Sequence, residues 1–171
     1  MKKSFGNLFA TFLGVCLLVS LSACKGGNTH DDHDHDQDHA HHHHHDPPNG
    51  GTGVTLGDED AHIEFLRDAA AGKMKAWVLA AHMSGYTRVK QETFEVKAVV
   101  GGEEKTLIFH AQANSATGET VGNSSMFEAE ADWLKTTDTF DATLKQIDVK
   151  GRIFSGVAFN FPKGNDAVEK K

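Results

Sequence analysis

The fold is decided by the stretch Thr93-Phe94-Glu95-Val96-Lys97-Ala98-Val99-Val100. Every even-numbered position in it is apolar, and the odd-numbered positions between them include two charged side chains. A period of two is typical of a β-strand that buries one face. Gly101-Gly102 follows directly and predicts a tight hairpin turn into a second strand at Lys105–Ala111. This stretch therefore predicts antiparallel β-structure.

The same pattern recurs on both sides of this hairpin. Five further strands are predicted, at Ala61–Arg67, Met74–Ala81, Ser125–Ala131, Ala142–Val149 and Arg152–Phe161. On the last of these, the residues expected to share a buried face are Ile153, Val157, Phe159 and Phe161. The connections include a polar loop at Asn114–Ser124 and, near Asp132–Thr136, at most a brief helical turn. Seven short strands with frequent turn residues predict an all-β fold, an antiparallel immunoglobulin-like β-sandwich.

The first 23 residues have the organisation of a bacterial export signal. Two lysines at positions 2 and 3 precede an apolar stretch from Phe5 to Leu21, which is too short for a comfortable membrane span. The stretch ends at Leu21-Ser22-Ala23-Cys24, which resembles the lipobox of bacterial lipoproteins. The resemblance implies cleavage before Cys24 and a lipid on that cysteine. We therefore expect an exported, membrane-anchored lipoprotein on the periplasmic face or at the cell surface; an ordinary signal peptide with an accidental cysteine is the alternative.

The remaining chain divides into three segments by composition. Residues 24–57 have few apolar side chains and are expected to form a disordered tether, because they cannot bury enough surface to offset the entropy of ordering. Residues 58–163 carry the strand pattern and are expected to form one β-domain, followed by a polar tail at residues 164–171. Since Cys16 is removed with the signal and Cys24 carries the lipid, no disulfide is expected.

The charge of the mature chain bears on its partners. Removal of the signal leaves 15 basic and 24 acidic residues, a net charge of −9. This balance argues against nucleic acid and against an anionic membrane surface as partners. It is compatible with the attraction of cations.

The chemistry of the sequence is concentrated in a His/Asp tract at residues 30–46. Its candidate metal ligands are His30, His33, His35, His39, His41, His42, His43, His44 and His45, with Asp34 and Asp36 among the interleaved carboxylates. Neutral imidazole is a common ligand for Zn²⁺, Cu²⁺ and Ni²⁺, and a neighbouring carboxylate orients the ring by accepting a hydrogen bond from its second nitrogen. Many overlapping ligand sets are available, so we expect several sites that discriminate poorly among these ions. Because protons compete for the imidazoles, metal loading should fall below about pH 6.5.

Three further histidines, His62, His82 and His110, lie on or beside predicted strands and are candidate metal ligands of the domain. A lone histidine in such a position is more often a surface or core residue. His82 with Met83 and Met126 would make an imidazole–thioether copper site if the three side chains converge. The sequence alone does not show that they do.

The sequence contains no recognisable catalytic motif. It has no Gly-x-Ser-x-Gly, no His-Glu-x-x-His and no phosphate-binding loop, and no cysteine remains as a nucleophile. We therefore do not expect an enzyme. The leading hypothesis is capture, buffering or handover of transition-metal ions at the cell envelope. The alternative is a protein-interaction module for which the His/Asp tract is only a tether.

Several short stretches between residues 61 and 161 follow one another in a characteristic order. They are His62-Ile63-Glu64-Phe65, Gly72-Lys73, Trp77-Val78-Leu79, His82, Phe94-Glu95-Val96-Lys97, Ser124-Ser125-Met126-Phe127 and Gly151-Arg152-Ile153-Phe154-Ser155-Gly156. In this order the chain resembles a group of small exported bacterial proteins, often lipoproteins with His-rich segments, that accompany heavy-metal efflux systems. The resemblance implies an all-β exported domain in metal homeostasis, with a metal efflux or uptake complex as its partner. Many of these proteins have a proline-containing segment where this chain has Ser84-Gly85-Tyr86-Thr87.

Overall fold

The computed structural model describes residues 46–166. The strands in this part of the chain are β1 (Thr52–Leu56), β2 (Ala61–Asp68), β3 (Lys73–Ala80), β4 (Thr93–Val100), β5 (Glu103–Ala111), β6 (Met126–Glu130), β7 (Phe140–Val149) and β8 (Arg152–Phe161). Two short 3₁₀ turns, η1 (Ala81–Met83) and η2 (Asp132–Lys135), follow β3 and β6. Within residues 46–166, no helix is long and apolar enough to cross a membrane.

These strands pair antiparallel in one sheet, in the order β1-β2-β3-β6-β5-β4-β7-β8. The predicted all-β antiparallel class is confirmed. The described strands number eight rather than about seven. An immunoglobulin-like sandwich would have two separate sheets. Here β5 and β6 pair at His110–Glu128 and at Ala111–Phe127, so both layers belong to one continuous sheet. Since this ladder is so short, the sheet consists of a first leaf, β1-β2-β3-β6, and a second leaf, β5-β4-β7-β8.

The hydrophobic core lies between the two leaves. Phe65 of β2 stacks on Phe159 of β8 with ring centroids 5.0 Å apart, and it meets Phe109 of β5 edge to face at 5.5 Å. Phe94 of β4 stacks on Phe109 at 4.8 Å and meets Phe127 of β6 at 5.0 Å. Aromatic pairs in these geometries contribute about 0.5–1.5 kcal/mol beyond the area that they bury. The β4–β5 hairpin, which the alternating pattern identified, thus supplies the centre of the core.

The folded region begins earlier than predicted. β1 falls inside residues 24–57, which the composition suggested to be a tether, yet Val54 and Leu56 on it are fully buried. The strand pairs with β2 along its whole length, from Thr52 opposite Phe65 to Leu56 opposite Ala61. Glycines at positions 50, 51, 53 and 57 concealed this strand, because a short segment interrupted by glycine has the composition of a linker. The domain boundary predicted at residue 58 is therefore wrong.

The last hairpin changes its buried face partway along. β7 buries positions 140, 142 and 144 and then positions 147 and 149, whereas β8 buries position 154 and then positions 159 and 161. Gly156 lies at the point of change on β8 and has a left-handed φ of 66°. As a result, Ile153 is 61% exposed and its neighbour Phe154 is buried instead. The prediction that Ile153 shares the face of positions 157, 159 and 161 is wrong, because the period of two is interrupted between them.

The two outer strands of the sheet are joined by residues that follow β8. The side-chain amide of Asn165 accepts a hydrogen bond from Thr55 N at 2.7 Å and donates one to Thr55 O at 2.9 Å, as a paired strand would. Thr55 Oγ1 also donates to Asp166 Oδ1 at 2.8 Å, and Gly164 exchanges two backbone hydrogen bonds with Asn160. Residues 164–166 therefore belong to the fold and not to the predicted polar tail.

Candidate functional site

The junction segment, Pro47–Gly51, follows the His/Asp tract in the sequence and leads from Asp46 into β1. It packs against β2, on which side chains alternate between the two faces of the sheet. Ile63 faces the core, whereas His62 and Glu64 point to the opposite face, yet both of these polar residues are buried as well. A strand of the first leaf is therefore covered on both sides.

Glu64 holds the junction segment in place. Its fully buried carboxylate accepts hydrogen bonds from Asn49 N at 2.9 Å, from Asn49 Nδ2 at 2.8 Å and from Gly51 N at 2.7 Å. Position 51 requires glycine because a Cβ there would lie 2.5 Å from the carbonyl oxygen of Phe65. A buried charge is costly unless donors surround it, and these donors offset that cost.

The chain after β3 contacts the same segment. The Tyr86 hydroxyl donates to Asn49 Oδ1 at 3.2 Å, which links it to Glu64 through the Asn49 amide. The end of the Met83 side chain lies beside Gly53 of β1, where a Cβ would be 2.7 Å from Met83 Cε and 3.4 Å from Pro47 Cγ. The junction segment is thus held both by β2 and by the residues after β3.

The three candidate histidines of the domain occupy different environments. His62 is 2% exposed, and its Nδ1 lies 3.4 Å from Ala80 O. His82 is exposed in η1, has a left-handed φ of 54°, and places Nδ1 at 3.3 Å from Glu59 Oε2. His110 is exposed on β5, where it pairs with Glu128 of β6. Among residues 46–166, no group of three or more His, Cys, Asp or Glu side chains is arranged to hold a metal ion.

The structure separates the methionines of the predicted copper site. Met83 lies beside β1, whereas Met126 begins β6 and pairs with Trp77. β6 is three positions from β1 in the sheet. The condition for an imidazole–thioether copper site, that Met83 and Met126 converge with His82, is therefore not met.

Cys24 and the tract histidines His30–His45 lie outside the described residues. Their predicted roles, lipid attachment and metal binding, stay predictions. Of the tract itself, the structure describes only the last residue, Asp46, which leads into the junction segment.

A second buried carboxylate, Glu119, organises the loop predicted at Asn114–Ser124. It accepts hydrogen bonds from Ser125 N at 2.8 Å, Ser125 Oγ at 2.5 Å and Thr117 Oγ1 at 2.6 Å, and Arg88 Nε lies 3.8 Å from its Oε1. Burial by itself raises the pKa of Glu119. The hydrogen bonds from Ser125 and Thr117, together with the charge of Arg88, outweigh that effect, so the pKa lies below its usual value.

Sequence reasoning assigned no role to Glu64 or Glu119. Glu64 stands between two apolar residues on a strand, which is the pattern of an ordinary solvent-facing carboxylate. Glu119 lies in a polar loop, where an acidic residue is unremarkable in sequence. The donors to Glu64 are 13 to 15 residues away in sequence, whereas those to Glu119 are the nearby Thr117 and Ser125. In neither case does the sequence show which carboxylate is buried, because burial depends on how the chain packs.

Comparison of the chain with protein-family models, with curated proteins and with solved structures finds no match.

Proposed function

We propose that this chain is an exported lipoprotein that captures Zn²⁺, Cu²⁺ or Ni²⁺ through the His/Asp tract, with the β-domain as the rigid base of that tract. The observation that carries the proposal is the tract itself, which places nine histidines and interleaved aspartates within residues 30–46. Imidazole nitrogens bind borderline divalent ions, and the carboxylates orient the rings and supply negative charge.

The junction segment supports the role of a rigid base. The last tract histidine, His45, is separated from Pro47 by a single residue. At Asn49 and Gly51 the chain is fixed to β2 through the carboxylate of Glu64. Ions bound near the end of the tract would therefore be only a few residues along the chain from the folded domain. A partner protein that docks on the domain could take them up there.

The charge and the export signal agree with this role. A mature chain with a net charge of −9 raises the local concentration of cations around it. A lipid on Cys24 would confine those cations to the envelope. There we expect, from the resemblance to proteins that accompany heavy-metal efflux, a complex that accepts them. The function that we propose is thus capture and handover rather than catalysis.

Metal binding is tested by calorimetric titration of the mature chain, Lys25–Lys171, with each of the three ions at neutral pH. The test variant replaces all nine tract histidines with asparagine, and the control replaces only the exposed His82 and His110. We expect the tract variant to lose most of the bound metal and the control to keep the wild-type stoichiometry. If the tract variant keeps the wild-type stoichiometry, the ions bind elsewhere and the proposal fails.

Lipid attachment has a separate test in bacterial cells that express the full chain. We expect the wild-type protein to incorporate labelled fatty acid and to fractionate with membranes, and the Cys24→Ser variant to do neither. Cys16→Ser is the matched control, because Cys16 lies in the segment that is removed. Equal labelling of the wild type and Cys24→Ser would exclude the lipoprotein assignment.

A further inference from the structure

A cleft with a basic lining lies between the segment 88–91 and the turn that joins β7 to β8. Its volume is about 620 Å³. The residues around it are Arg88, Val89, Lys90, Gln91, Asp148, Lys150 and Gly151. Three of these side chains are cationic and one is anionic, in a chain whose overall charge is −7. The lining of the cleft is therefore positively charged, whereas the chain as a whole is negatively charged.

The two lysines of the cleft differ from most other lysines of the domain. Lys73 lies 2.7 Å from Glu128, and Lys97 and Lys145 likewise have carboxylate partners within 3 Å. Neither Lys90 nor Lys150 has a carboxylate within 4.0 Å among residues 46–166. Their positive charge is thus not compensated by an ion pair of the described part of the chain.

The walls of the cleft are fixed by hydrogen bonds. Val89 exchanges two backbone hydrogen bonds with Ser124, at 3.0 and 3.2 Å. Gln91 Oε1 accepts a hydrogen bond from Asp148 N at 2.5 Å, which ties one wall to the other. The Arg88 guanidinium donates to Thr117 O. Because both walls are held in this way, a ligand would not have to order them.

Lys150 occupies a backbone position that favours other residues. It has a left-handed φ of 55° and is followed by Gly151 with a φ of 87°, as in the two-residue turn that usually carries asparagine or glycine first. The turn is also fixed by a hydrogen bond from Gly151 N to Asp148 Oδ1 at 2.7 Å. A lysine in this conformation is strained, and such strain concentrates at functional sites. The ammonium group at this turn is therefore a candidate for a binding role.

We propose that the cleft binds a phosphate group. Two ammonium groups act as point charges that suit a multiply charged anion. The guanidinium of Arg88 is already engaged by Thr117 O and by the carboxylate of Glu119, so only its remaining N–H donors add to the cleft. The carboxylate of Asp148 is directed in part to the turn, so it reduces the positive charge of the cleft without cancelling it. The phosphate can come from a free phosphorylated molecule or from a lipid headgroup. This site is independent of the proposed metal function, since its residues all lie outside the His/Asp tract.

The experiment uses the mature chain, Lys25–Lys171, in metal-free buffer, so that ions on the tract cannot bridge to phosphate. Inorganic pyrophosphate is titrated by calorimetry, and co-sedimentation is measured with phosphatidylglycerol vesicles and with phosphatidylcholine vesicles. The test variant is Lys90→Gln/Lys150→Gln. The control variant, Lys75→Gln/Lys163→Gln, loses the same net charge from two lysines that also have no ion pair within residues 46–166 and do not line the cleft.

We expect the test variant to weaken binding by about tenfold or more and the control variant to change it by less than about twofold. Loss of pyrophosphate binding in the test variant identifies a free phosphate ligand. Loss of phosphatidylglycerol binding with no effect on pyrophosphate identifies a headgroup. Equal weakening in both variants, or no binding of either probe by the wild type, overturns the proposal.

Discussion

Glu64 and Glu119 are both buried carboxylates that fix an irregular segment, but they do so in different surroundings. Glu64 is fully buried on a strand, and its donors are the backbone N–H groups of Asn49 and Gly51 and the amide of Asn49. Glu119 is 8% exposed in a loop, and its donors include two hydroxyl groups, with the guanidinium of Arg88 3.8 Å away. One charge is stabilised by neutral dipoles and the other by dipoles together with an opposite charge.

The two segments also differ in what remains when the carboxylate is removed. The Glu119 loop keeps turns of its own, with backbone hydrogen bonds between Asn114 and Glu119 at 2.9 and 3.0 Å. The junction segment has one internal backbone hydrogen bond, from Gly50 N to Pro47 O at 3.1 Å. The junction therefore depends more strongly on its carboxylate than the loop does.

The largest expected effect is that of Glu64→Ala. The substitution leaves the N–H groups of Asn49 and Gly51 without their acceptor, so we expect the free energy of unfolding to fall by about 3 kcal/mol. Chemical denaturation measures this loss. Hydrogen exchange should show faster exchange at the Asn49 and Gly51 amides than in β4 and β5, because the junction segment detaches first.

The matched control for Glu64 is Glu92→Ala. Glu92 is exposed and has no ion pair among the residues that the structure describes. Its removal should change the free energy of unfolding by less than about 0.5 kcal/mol. If Glu64→Ala lowers the free energy of unfolding as little as Glu92→Ala does, the hydrogen bonds that Glu64 accepts from the junction segment do not stabilise the fold.

The next effect is that of Glu119→Gln, and it depends on pH. At pH 7 we expect a loss of about 2 kcal/mol, because the amide cannot accept all the hydrogen bonds that the carboxylate accepts. The folded-state pKa of Glu119 lies below its usual value of 4.5, so its contribution is present above that value and is lost as the pH falls through the folded pKa. The difference between the wild type and Glu119→Gln in free energy of unfolding should therefore shrink between pH 7 and about pH 3. A difference that stays constant over this range would contradict the lowered pKa.

The sequence predicted the regular part of the fold better than the irregular part. The β4–β5 hairpin was identified because alternation and the Gly101-Gly102 turn agree there. β1 escaped prediction because its burial comes from pairing with β2 and not from its own composition. The exposure of Ile153 escaped prediction because the change of face near Gly156 depends on both strands of the hairpin. Local patterns thus fixed the strand periods, and tertiary pairing fixed their ends and interruptions.

The features of the candidate site also differ in how far the sequence predicts them. The His/Asp tract is a signal of composition, and it can be identified without a structure. The roles of Glu64, Lys90 and Lys150 cannot be predicted from composition, because each depends on groups that the fold brings together or keeps apart. Lys150 could be placed on the turn from Lys150-Gly151, but its position opposite Lys90 could not, nor could the lack of a carboxylate near it within residues 46–166.

The smallest expected effect is that of Arg88→Gln, and it separates the charge beside Glu119 from the hydrogen bonds to it. Arg88 is 41% exposed and lies 3.8 Å from the carboxylate, so water and salt screen the interaction and the loss of stability should be less than about 1 kcal/mol. Thr117→Val removes a hydroxyl donor at 2.6 Å instead. Because the hydrogen bond contributes more than the charge to the lowered pKa, NMR titration should show a larger rise of the Glu119 pKa in Thr117→Val than in Arg88→Gln. The reverse order would mean that Glu119 is held chiefly by an ion pair, and the contrast with Glu64 would then be one of charge pairing rather than of the donors around each carboxylate.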